Sequence, residues 1–133
     1  QDAIWKLLST ISTPVIINEN ITRVSSDIVS CGPAFFTYLT RKFIQGAVSE
    51  TEIDESTATI LASEMLIGLG ELLKKEIYTL AALQEKVCVK GGITGEGISA
   101  MEANLGELFH ELFRATHKKF EEDLEETKKQ FGL

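Results

Sequence analysis

Residues 49–75 read SETEIDESTATILASEMLIGLGELLKK, and the fold turns on this stretch. Ile53, Ile60, Leu61, Met65, Leu69, Leu72 and Leu73 recur at helical spacing and make an apolar face that is wide and nearly continuous. Ser49-Glu50-Thr51-Glu52 has the form of a capping box, which predicts a helix beginning there and running to about Lys75. A helix with so broad an apolar face must be buried on more than one side.

Working outward from this helix, the neighbours read the same way. Upstream, Phe35, Phe36, Leu39, Phe43 and Ile44 keep the 3–4 spacing of a helix through Ala47, with Pro33 in its opening turn. Ile21, Val24 and Ile28 predict a shorter helix over 21–29. Downstream, Thr79 is placed to cap a short helix ending near Val87. One long helix is expected from about Ile98 to Lys129, bent near Gly106, with Leu105, Leu108, Phe109, Leu112, Phe113, Phe120 and Leu124 along one side. Its charged end reads as a solvated face with i,i+4 pairs such as Glu125 with Lys129. The first twenty residues differ. Ile4, Leu7, Leu8 and Ile11 predict a helix, and Val15-Ile16-Ile17 after Pro14 has the composition of a buried strand, followed by a hinge at Asn18-Glu19-Asn20. A lone three-residue strand needs a neighbour to pair with, so a sheet is expected upstream of this chain.

The chain has 133 residues, 44% hydrophobic and 25% charged, with a net charge of −7. That is enough for one domain with a core, and too acidic to bind nucleic acid or an anionic membrane through a basic surface. No apolar run is expected to span a bilayer. Cys31 and Cys88 lack metal-type spacing and suit a reducing, cytoplasmic compartment. Beginning at Gln1 without a secretory leader, the sequence reads as a piece of a longer protein. Five or six helices this apolar carry more hydrophobic surface than one small bundle hides, and a second copy with the same surface is the economical solution: a symmetric homodimer.

Gly91, Gly92, Gly95 and Gly97 fall within seven residues between helical stretches. Glycine disfavours a helix by about 1 kcal/mol relative to alanine, so the cluster marks either a sharp turn or a backbone that comes close to a ligand. Free amides at the N-terminus of the following helix would favour a carboxylate or phosphate. Lys90 precedes the glycines, which departs from the phosphate-binding Gly-x4-Gly-Lys pattern. Glu107-x-x-His110 is half of a di-metal motif without its second half, and His110 and His117 are too far apart on one helix for chelation, so no metal is expected. No nucleophile–base set is legible.

The order of motifs adds to this. Ser30-Cys31-Gly32-Pro33-Ala34-Phe35-Phe36, Leu83-Gln84-Glu85-Lys86-Val87, Gly91-Gly92-x-Thr94 and Gly97-Ile98-x-Ala100-Met101-Glu102 resemble the C-terminal domain of pyrroline-5-carboxylate reductase, a family of proline biosynthesis, over essentially residues 1–117. The departures look most like its late-competence ComER-type paralogues. The resemblance implies an all-α dimerisation domain of the 6-phosphogluconate-dehydrogenase C-terminal type at 21–133, interwoven with its twin. Residues 1–20 would be the last helix and strand of a Rossmann domain. It implies NAD(P)H as cofactor of the parent, bound upstream and not by this fragment, which alone should be inactive. It also implies a small imino- or amino-acid substrate, held at Lys90, Gly91, Gly92, Ile93 and Thr94, with Thr94 helping to protonate the ring nitrogen. Val89, Lys90 and Ile93 stand where the family has serine, proline and threonine, and Thr79-Leu80 replaces its usual His-Pro. A paralogue with altered or lost chemistry and a binding or regulatory role is the alternative.

Overall fold

The computed structural model describes residues 19–132, and these are helical, with no strand among them. The helix expected over 3–11 and the strand at 15–17 lie outside the described residues. A 3-10 turn at Glu19–Ile21 leads into α1 (Thr22–Ser26) and a π-helical turn at Asp27–Cys31. Then follow α2 (Gly32–Glu50), α3 (Glu55–Lys74), α4 (Leu80–Val87), α5 (Ile93–Leu105) and α6 (Leu108–Gln130). The described residues form two compact units, one built from residues 19–32 together with 110–132, the other from Pro33–Phe109.

Gly32-Pro33 opens α2 without breaking the helical run. The backbone stays helical through Gly32 (φ −49°, ψ −43°). Pro33 has no N–H to return to the preceding turn, and the ladder accommodates this by widening to a π turn just before it. The widened turn resets which face points inward: Ile28, expected on the apolar face, is 61% exposed, while Asp27 is 1% exposed.

The second unit holds the apolar core, and it is small. Ile44, Ala58 and Ala62 are buried, with Ile53 packed against them, and the Phe36 and Phe109 rings stack at 6.5 Å. Most of the apolar residues that define α3 remain outside: Ile60, Leu61, Met65 and Ile67 are each about half exposed or more. By length and composition α3 is apolar enough to cross a membrane, against the expectation that no run reaches that far, because Ala, Gly and Thr between its large residues keep the run apolar. The single chain leaves this face uncovered, as the surface argument required.

The start of α3 corrects the capping box. Ser49 and Glu50 close α2, Thr51 Oγ1 donates back to the Ala47 carbonyl at 2.8 Å, and the cap is Asp54, whose Oδ1 accepts the Thr57 N–H at 2.7 Å. The Thr57 backbone N–H, then its hydroxyl, hold the Asp54 carboxyl below the ordinary carboxylate range. Because the folded value lies below the unfolded one, the cap's stabilisation is complete above the unfolded value and is lost as pH falls through the folded one. Asparagine caps about as well as aspartate. Asp54→Asn is therefore expected to melt near wild type at neutral pH and to lose less stability below about pH 4. Thermal unfolding against pH checks this, and superimposable acid limbs would refute it.

Thr79 caps α4 as expected, accepting the Ala82 N–H at 3.1 Å. The long final helix is two helices. Gly106 takes φ +55°, ψ −135°, a conformation reserved for glycine, so it breaks the run and does not merely bend it. On α6 the Lys119–Asp123 pair closes at 2.8 Å with both side chains exposed, a solvated i,i+4 contact.

Candidate functional site

The glycine cluster folds as a turn followed at once by a helix. The Cys88 N–H donates to the Glu85 carbonyl (3.2 Å) to close α4, and the Gly92 N–H donates to the Val89 carbonyl (2.8 Å). Val89-Lys90-Gly91-Gly92 is thus a hydrogen-bonded β-turn. Gly91 has φ +76° and Lys90 is not among the residues of positive φ, which makes it a type II turn with glycine where a side chain would be strained. Gly92 is needed for another reason: a Cβ there would stand 2.9 Å from the Val89 carbonyl oxygen.

α5 begins at Ile93, five residues before the expected start at Ile98. Gly92 is its N-cap and offers no side-chain acceptor, and the first intrahelical bond is Glu96 N–H to Gly92 O at 3.4 Å. The Ile93, Thr94 and Gly95 amides therefore open at the positive end of the helix without intrahelical acceptors. Among the site residues expected from sequence, Ile93 and Thr94 supply open amides and Thr94 a hydroxyl in the same turn. Gly91 and Gly92 supply the shape, the Gly92 N–H being engaged within the turn. Lys90 is exposed at the turn's first corner, and Ile93 is 92% exposed and Val89 69%. An arrangement of this kind grips a small anion by backbone and leaves two apolar side chains at its edge.

Lys90 occupies the turn position where proline is favoured, and no bond of its N–H closes the turn. Lys90→Pro is expected to raise stability by about 0.4–1 kcal/mol through the unfolded chain, measurable by thermal unfolding. A loss instead would mean that the turn requires the lysine N–H.

Gly95-x-Gly97-x-x-Ala100 matches the letters of a dinucleotide-binding fingerprint. It lies inside α5 and lacks the strand–turn–helix that aims such glycines at a pyrophosphate, so these residues do not fit a dinucleotide. Among the described residues no three or more metal-type side chains cluster.

A second polar cluster lies in the other unit and was not anticipated from sequence. Asp27 meets Arg23 Nη2 at 2.7 Å through Oδ1 and accepts the Thr116 hydroxyl at 2.7 Å through Oδ2. His117 Nδ1 is 4.0 Å from Oδ2 and bonds the Phe113 carbonyl at 2.7 Å. Arg23 also lies over the Phe120 ring at 5.3 Å. The Arg23–Asp27 spacing was visible, but Thr116 is 89 residues away from Asp27 and only tertiary structure brings it there.

Helices with an uncovered apolar face and one amide-lined turn define an all-helical assembly domain. Residues 19–123 match the family model described as pyrroline-5-carboxylate reductase dimerisation, and the chain belongs to that family. ComE operon protein 4 of Bacillus subtilis (strain 168) is 56% identical over 128 residues, spanning 96% of this chain and 47% of that protein. Pyrroline-5-carboxylate reductase 3 of the same strain is 30% identical over 125 residues, spanning 94% and 46%. The chain thus spans about half the length of these relatives. The crystal structure of Plasmodium falciparum pyrroline carboxylate reductase with NADP bound has the same fold, with a TM-score of 0.75 at 20% identity over 89% of this chain and 47% of that one. The family domain supports a homodimer.

Proposed function

We propose that this chain is the dimerisation and substrate-side half of a pyrroline-5-carboxylate reductase-like oxidoreductase of the cytoplasm, whose parent reduces a cyclic imine with NAD(P)H bound by an upstream Rossmann half. Residues 1–20 are in this reading the end of that half, and 21–133 the helical domain that interweaves with its twin. The observation that carries it is the Val89–Gly92 turn, which leaves three amides open at a helix N-terminus with the Thr94 hydroxyl beside them. In this chain the Ile93, Thr94 and Gly95 amides hold the substrate carboxylate, Gly91 and Gly92 shape the turn, Lys90 adds positive charge nearby, and the Thr94 hydroxyl orients the proton that the ring nitrogen takes up. The dinucleotide, when bound upstream, supplies the hydride to the imine carbon. The fragment alone is inactive.

One observation favours a second reading. Val89 and Ile93 expose apolar side chains at the rim of the turn, where the family carries hydroxyls. That suits a paralogue with altered or lost chemistry and a binding or regulatory role, competence-associated in this reading, which the 56% identity to ComE operon protein 4 supports. Full-length protein decides between them. Oxidation of NAD(P)H in the presence of pyrroline-5-carboxylate, slowed in Thr94→Ala, supports the reductase. Cofactor binding without turnover supports the paralogue; Val89→Ser/Ile93→Thr should then gain substrate affinity or rate, and no gain would refute this account of the two positions.

A further inference from the structure

We propose that Arg23, Asp27 and Thr116 form a releasable clasp that decides whether the segment Thr22–Cys31 is docked on α6. Asp27, at 1% exposure, is the only buried side chain among the described residues of its unit; the buried apolar residues Ile44, Ala58 and Ala62 all belong to the other unit. Among the described residues, what joins this segment to α6 is the Thr116 hydroxyl donated to the Asp27 carboxylate and the Arg23–Phe120 contact, with Arg23 holding the carboxylate from within the segment.

Such a tie behaves unlike an apolar one. Apolar contact is non-directional and weakens gradually with area, whereas the Thr116–Asp27 hydrogen bond is directional and is either made or broken; when the segment lifts away, Arg23 travels with Asp27 and water replaces the hydroxyl. The closed state is also incompletely satisfied. Arg23 Nε is buried with no hydrogen-bond partner, and Asp27 Oδ1 meets Nη2 at ion-pair distance but off the N–H direction. Unmet polar groups are costly while buried, and opening the contact hydrates them. The π turn that begins at Asp27 aims the carboxylate at Thr116 and leaves Ile28 outside, so the backbone departs from a plain helix where the clasp closes. The polar and charged groups around the carboxylate are Arg23 and Cys31 from its own segment, with Thr116, His117, Lys119 and Asp123 from α6. The clasp does not depend on the reductase reading.

Hydrogen exchange on the whole chain, with sedimentation run in parallel to hold the oligomeric state constant, tests this. Thr116→Val keeps the shape and removes the donated hydrogen bond; Asp27→Asn removes the charge. Both are expected to speed exchange of the 22–31 amides by about tenfold or more, the loss of a hydrogen bond to a charged group. The α3 amides of Glu55–Lys74 keep their protection. Arg23→Leu/Asp27→Leu, which replaces the clasp with apolar contact, restores protection of 22–31 to wild type or better. Unchanged exchange in Thr116→Val overturns the proposal. So does an equal acceleration of 22–31 and α3, which would make the cluster part of global stability.

Discussion

Leu61→Glu together with Met65→Lys is expected to dissociate the homodimer while leaving each chain helical. The two positions are one turn apart on α3 and stand 58% and 49% exposed in the single chain. Glutamate followed by lysine at i+4 is a favourable helical pair, and both residues are good helix formers, so the helix itself loses little. The cost falls on assembly. Burying each of these large apolar side chains is worth about 1.5–3 kcal/mol, and a two-fold interface counts every substitution twice. With about half of each side chain left to bury, the sum is roughly 3–6 kcal/mol before the charges are desolvated, equivalent to roughly two to four orders of magnitude in dissociation constant. Sedimentation velocity at micromolar concentration should show monomer with wild-type helicity by circular dichroism. A dimer that persists unchanged would place the interface on another face.

The expectation behind this result could be formed from sequence because it rests on area. A helix apolar over most of its girth, in a chain with little room to hide it, requires a partner whatever the details of packing, and the structure buries only Ala58 and Ala62 of α3. Helix ends were less legible, since several short signals compete. Ser49-Glu50-Thr51-Glu52 satisfies the capping pattern, but α2 extends to Glu50 and Thr51 bonds back into it, so the cap falls to Asp54, the next side chain able to reach a free N–H. Glycine propensity misplaced the start of α5. Near a helix N-terminus the amides are unpaired in any case, and Gly95 and Gly97 sit in the first turns where their flexibility is tolerated. The Asp27 cluster was not legible at all: a carboxylate three residues after Val24, just past a short helix, reads as a solvated neighbour until Thr116 arrives. At the turn, the residues that shape it were visible as glycines, but the division of labour among them needs geometry.

That division yields the sharpest test, because the four glycines should respond to one methyl group with opposite signs. Gly92→Ala places its Cβ against the Val89 carbonyl oxygen at 2.9 Å, a backbone atom that accepts the Gly92 N–H and has no rotamer to yield. Relief requires opening the turn, so the loss is expected at about 1–3 kcal/mol, the range of overpacked sites. Gly91→Ala forces a side chain into φ +76° with open space around it, a strain of about 1–2 kcal/mol that leaves the hydrogen bond in place. Gly97 lies in α5 with nothing near its Cβ position, so Gly97→Ala should gain about 0.5–1 kcal/mol from helix propensity. Gly95 meets only the Cys88 sulfur at 3.8 Å, ordinary contact, and should follow Gly97. Chemical denaturation of the four variants gives the order directly. In full-length protein, Gly92→Ala should also abolish the proposed carboxylate binding, because the open amides of residues 93–95 are aimed by the turn that the methyl group breaks, whereas Gly97→Ala should behave as wild type in the same assay. A Gly92→Ala protein as stable as Gly97→Ala would mean that the close approach of Val89 is not what this glycine is for.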